Sequence, residues 1–189
     1  MNAAANFLSI SQKMFRYYKG LADKAMAALT EEEVHFVPNE ESNSIAILVH
    51  HMSGNMLSRF TDFLTTDGEK PWRNRDTEFE DHYASKEAML QDWEKGWSCL
   101  FAALDSLPEE GMTDIVYIRN EGHTVLEAIT RQVAHYAYHT GQIVYLAKLI
   151  RNKEWETLSI ARGNSQGYNK DKFDQDKGRR FFTDDKPGA

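Results

Sequence analysis

Apolar residues recur along four stretches of the chain at the three- and four-residue intervals of an amphipathic helix. The first covers residues 3 to 29, with Phe7, Leu8, Met14, Phe15, Tyr18, Leu21, Ala25 and Leu29 on its stripe. The second follows Ser44, whose hydroxyl can cap a helix start, and carries Ile45, Leu48, Met52, Met56, Phe60 and Phe63 to about Leu64. Ser85 opens the third, striped by Met89, Trp93, Trp97, Leu100 and Leu104, with Pro108 beyond its end. The fourth begins where Thr124 and Glu127 stand at capping-box spacing, and it runs to about Ile150. Thr30 and Glu33 share that spacing ahead of a short turn closed by Pro38.

The connections are less regular. Residues 68 to 83, GEKPWRNRDTEFEDHY, mix Gly, Pro and charge without period and predict a long ordered or semi-ordered connection. The β-prone IVYI between Gly111 and His123 predicts either one short hairpin or an extended crossover. Four helices of about 20 residues can bury their stripes only against one another. The expected fold is all-α, a four-helix bundle with long crossover connections over residues 1–160. Residues 161–189, rich in charge, form a solvated tail packed on or trailing from it.

Composition narrows the function. The 189 residues are 41% hydrophobic and 27% charged with a net charge of −7, the profile of a soluble globular protein. Acidic balance and scattered basic residues, apart from Arg73 with Arg75 and Arg179 with Arg180, argue against a nucleic-acid partner. The one cysteine, Cys99, forms no intrachain disulfide and is expected to be a buried, inert thiol in a reducing compartment. No run approaches the roughly 20 apolar residues that span a bilayer, and the N-terminus has no leader pattern, so a cytoplasmic protein off the membrane is expected.

The stretch HYAYHTGQ, residues 135–142, interrupts an apolar helix with two imidazoles. Four residues turn a helix by about 40° and climb about 6 Å, so His135 and His139 share a face and can share one ion. Such a pair alone is weak evidence, and a metal centre needs a further ligand from elsewhere. The second helix offers His50 or His51. His51 heads a polar row through Asn55, Ser58 and Asp62, which favours it and leaves His50 to the surface or to packing. No Gly-rich phosphate loop or Ser/His/Asp order is present. The single ExxH spacing, Glu32 to His35, lies off the long helices, so a di-iron bundle is excluded.

The segments HHMSGN, the following MLSRFTDFLTTDGEKPWRNRD, HYAYHTGQ and SIARGNS, in that order, resemble the DinB-like superfamily of bacterial metalloenzymes over nearly the whole chain. The resemblance implies a bundle in which His51, His135 and His139 bind one divalent metal ion, nickel or zinc. Relatives of that kind include thiol transferases and isomerases using bacillithiol, mycothiol or glutathione. The implied activity is therefore a metal-dependent thiol S-transferase or hydrolase, acting on a small molecule with a low-molecular-weight thiol, in a homodimer. A non-catalytic metal-binding or stress-response module of the same fold is the competing reading.

Around these ligands, Asn55 and Gln142 are expected to hydrogen-bond the imidazoles. Asp62 is read as a solvated helix residue. Arg59, Arg73, Arg75 and Arg119 are candidates to meet an anionic cosubstrate. Trp72 is expected to pin its loop to the bundle, and His35, His82 and His123 to lie at the surface.

Overall fold

The computed structural model describes residues 2–184. Six helices and one hairpin follow in the order α1 (Ala3–Ala27), α2 (Glu31–Val34), α3 (Ile45–Phe60), α4 (Lys86–Asp105), β1 (Ile115–Ile118), β2 (Glu121–Thr124), α5 (Val125–Arg151) and α6 (Ser165–Phe173). The fold is all-α, with α1, α3, α4 and α5 as the long packed helices.

The starts of α2, α3, α4 and α5 are satisfied by the residues the sequence points to. Ser44 and Ser85 accept from the backbone N–H groups of Ile47 and Ala88. Thr30 with Glu33 and Thr124 with Glu127 close both arms of a capping box. These bonds supply acceptors for donors a helix cannot satisfy internally.

Partner residues give the helix directions. Between α3 and α4 the numbers rise together: His50 meets Tyr83 at its approach to α4, Gly96 lies against Ser53 and Met56, and Thr61 reaches Cys99. These two helices are parallel. Between α3 and α5 they run oppositely, His51 meeting His139 and Asn55 meeting Tyr136. α1 opposes α4, with Gln12 on Asp105 and Asp23 on Trp93. The directions are up, down, down, up.

Two consecutive parallel helices need a connection that returns along the bundle. Residues 61–85 make that crossover, running back beside α3 toward its N-terminal end. The second long connection reverses direction instead, through the β1–β2 hairpin, which resolves the alternatives left by IVYI. Its turn residues Arg119 and Asn120 have φ of 57° and 62°, matching the right-handed strand twist. Asp67 of the crossover accepts from both of their backbone N–H groups at 2.8 Å, tying hairpin to crossover.

The core is aromatic at its middle. Phe15, Trp97 and Tyr136, from three different helices, are wholly buried with ring centroids 5.7–6.2 Å apart. Such edge-on and tilted contacts add to the area they bury.

Three details depart from expectation. α3 ends at Phe60 rather than Leu64, because Thr61 turns extended and Asp62 takes φ 48°. Asp62 therefore lies in a turn, off the helical row it was assigned to. Cys99 is half-buried, its Sγ 3.6 Å from the Thr61 hydroxyl, rather than buried. The charged region after residue 161 contains α6, a helix with no buried residue, and beyond it Phe182 packs edge-on to Tyr17.

Gly96 sets the α3–α4 approach. A Cβ there would lie 3.0 Å from Ser53 Cα and 2.9 Å from Met56 Cε. Gly96→Ala gains about 1 kcal/mol of helix propensity but overpacks at a cost of about 1–3 kcal/mol, and is expected to lower the urea midpoint. Gly141→Ala on α5, where the added methyl meets nothing within 4 Å, is expected to raise it. Equal shifts of the same sign would contradict this packing.

Candidate metal centre

His135 and His139 sit one turn apart on α5, and antiparallel packing brings His51 of α3 opposite them. Two of the rings are buried and His135 is half-buried. The Nε2 atoms of His139 and His135 are 3.0 Å apart, and those of His51 and His135 are 3.3 Å apart. One ligand atom from each ring lies within 4.8 Å of the other two. Zinc–nitrogen bonds of about 2.0–2.1 Å in a tetrahedron put neighbouring nitrogens about 3.3 Å apart, so two of the three pairs stand near the spacing one ion requires and the third lies within 4.8 Å.

Protonation favours the same conclusion. The His51 Nδ1–H donates to Glu78 Oε2 at 3.0 Å, and the His139 Nδ1–H donates to Gln142 Oε1 at 2.7 Å. His135 Nδ1 faces Gln132 Oε1 at 3.4 Å, the long end of a hydrogen bond. An acceptor oxygen at each Nδ1 places the ring proton there and leaves an unprotonated Nε2. Three lone pairs then face one another and repel unless a cation lies between them. A proton fits poorly there: burial, then His139, His51, Arg59 and Arg73, push the His135 pKa down to about 3. Burial likewise lowers that of His139. The triad could hold a metal ion.

Glu78 was not singled out by its sequence context. It lies in a 3-10 turn, Asp76–Phe79, on the crossover, and only 3% of it is exposed. Burial alone would raise its pKa. Arg73, bonded from Nε to Oε1 at 2.7 Å and from Nη2 to Oε2 at 2.8 Å, outweighs that with His51 and holds it below the ordinary carboxylate range. The result is a carboxylate–imidazole pair that orients a ligand ring and strengthens it as a donor. The available signal was Gly54, one turn after His50: a Cβ there would lie 2.9 Å from Glu78 Cδ, so the carboxylate rests against bare backbone.

The other expected residues take distinct places. Gln142 meets His139, whereas Asn55 accepts from the Tyr136 hydroxyl at 2.9 Å and bonds no imidazole among the described residues. Ser58, lower on the polar row of α3, donates to Gly68 O at 2.7 Å and holds the crossover. Arg59 and Arg73 line the cleft over the triad, but their buried guanidinium groups are engaged. Arg59 donates to Gly68 O and Glu69, and Arg73 to Glu78 and Glu69. Arg75 lies in the open, its guanidinium 5.3 Å from the Phe79 centroid. Trp72 is exposed rather than buried against the core. Phe79 pins the loop instead, stacking on His51 at 4.9 Å and 27°. His35 is half-buried and bonds Asp81 at 2.7 Å, while the His50 ring lies against that of His82, centroids 3.8 Å apart and planes tilted by 40°. His123 is half-buried too.

Gly54→Ala is expected to push the Glu78 carboxylate off His51 without touching a ligand. Loss of such an orienting partner weakens metal binding about 10–100-fold, and Glu78→Gln should act in the same direction. Zinc competition against a chromophoric chelator measures both, with circular dichroism reporting the fold. Wild-type affinity in both variants would leave the Glu78 bond without consequence for the metal.

Comparison with known proteins supplies a family and a fold. Residues 2–164 match the family model described as "Protein of unknown function (DUF1572)", a match ending where α6 begins. Among solved structures, the crystal structure of the conserved protein of locus from Enterococcus faecalis is similar, with a TM-score of 0.60 over 79% of this chain and 98% of that one. At 16% identity that likeness concerns the fold alone. No curated protein matches the chain. With all three histidines, Glu78 and the whole bundle inside the matched span, this chain belongs to the DUF1572 family.

Proposed function

We propose that this protein binds one divalent ion, zinc or nickel, through His51, His135 and His139, and works as a metal-dependent thiol S-transferase or hydrolase of the DinB-like kind. The observation that carries the reading is the convergence of three Nε2 lone pairs while each Nδ1 faces an acceptor oxygen. Three neutral imidazoles are a donor set suited to zinc and nickel, and a set of three leaves room for a further ligand. An ion so held lowers the pKa of a water or thiol that reaches it.

The remaining roles belong to the chain's own residues. Glu78 holds the His51 proton at Nδ1 and is itself fixed by Arg73. Gln142 does the same for His139. Phe79 covers one face of the His51 ring and limits water there. The cleft of about 360 Å³ over the triad is of the size that admits a small molecule. The resemblance to DinB-like thiol transferases supports a thiol as the nucleophile.

Elemental analysis of protein purified without a histidine tag tests the metal. About one zinc or nickel per chain is expected in wild type and none in His51→Ala. Wild type that stays metal-free after incubation with either ion would end the proposal. A thiol-conjugation screen with the loaded protein then separates a transferase from a non-catalytic metal binder.

A further inference from the structure

The cleft over the triad is lined by five arginines, Arg59, Arg73, Arg75, Arg119 and Arg131, and by no Asp or Glu among the described residues. Two carboxylates lie behind its wall. Glu78 pairs with Arg73, and Glu69 is shared by Arg59, Arg73 and Arg119. Those three guanidinium groups thus serve the fold. Arg75 and Arg131 form no ion pair among the described residues, although both are exposed and both line the cleft.

Their positions relate them to the histidines. Arg131 precedes His135 by four residues on α5, so it stands on the same helix face about 6 Å along the axis. Arg75 comes from the crossover on the other side. Its guanidinium packs on Phe79, whose ring stacks on His51. Two unpaired cations therefore approach one cleft from two walls, in a chain whose net charge is −7. Surplus positive charge at a concave site attracts and orients a negative ligand. Guanidinium groups suit a carboxylate or phosphate because both oxygens can be met at once.

We infer that the cleft binds a small molecule carrying a carboxylate or phosphate group, gripped between Arg75 and Arg131, with its other end over the three histidines. The grip itself does not require a metal. Only the placement of the reacting end rests on the proposed metal centre. The volume of about 360 Å³ suits a compact ligand.

Calorimetric titration of inorganic phosphate and of succinate at low ionic strength tests this, on metal-free and zinc-loaded protein, with zinc content measured in each sample. The proteins are wild type, the double variant Arg75→Gln with Arg131→Gln, and Arg162→Gln as an exposed control. Metal-free wild type is expected to bind at least one anion. The double variant should bind it about tenfold or more weakly, since each charge-assisted hydrogen bond contributes on that scale. Arg162→Gln should match wild type, and zinc content should be equal among the three zinc-loaded proteins. Phosphate binding tighter than succinate indicates a phosphate ester, and the reverse a carboxylate. No binding to wild type, or equal binding to the double variant, overturns the inference. Protein that takes up no zinc yet loses the anion in the double variant sinks the metal proposal and leaves this one standing.

Discussion

Three imidazole nitrogens with their lone pairs turned toward one point repel each other, and the fold must hold them there. Two come from one helix and cost little to align, since a four-residue step already stacks them. The third comes from a helix running the other way. Its ring has to be oriented by something outside both helices, and Glu78 does so from the crossover.

That dependence explains the connection between α3 and α4. Parallel consecutive helices force the chain back along the bundle, and this chain passes the return segment over the open side of His51. The segment is held by Ser58 and Arg59 on Gly68, by Asp67 on the hairpin turn, and by Phe79 on the His51 ring. Bare backbone at Gly54 lets the Glu78 carboxylate come close, and bare backbone at Gly96 lets α4 come close to α3. Placing a carboxylate in so dry a site is costly unless its charge is matched. Arg73 matches it with two bonds, and Glu69 in turn is shared by Arg73, Arg59 and Arg119. Structural charges and cleft charges are thereby separated, which leaves Arg75 and Arg131 with no acidic partner among the described residues.

Periodicity was enough to locate all four long helices, because each buries one stripe and begins at a side chain that caps it. The same reasoning ran α3 four residues too far, since Phe63 continues the apolar pattern while the backbone has already turned at Thr61 and Asp62. It also placed Asp62 and Asn55 on a row leading from His51. Asp62 lies past the helix end, and Asn55 is engaged by a tyrosine from α5, a partner 81 residues away.

What the sequence determined by itself was local: the helices and their caps, the pairing of His135 with His139, and His51 as the histidine of α3 beside the apolar face. These follow from turns of one helix, whose geometry is the same in any protein. Tertiary structure alone decided that α3 and α4 are parallel, that Glu78 faces His51, and which arginines are free. Those depend on how a connection without periodicity crosses the bundle, and on contacts between residues distant in the chain. No spacing rule encodes them.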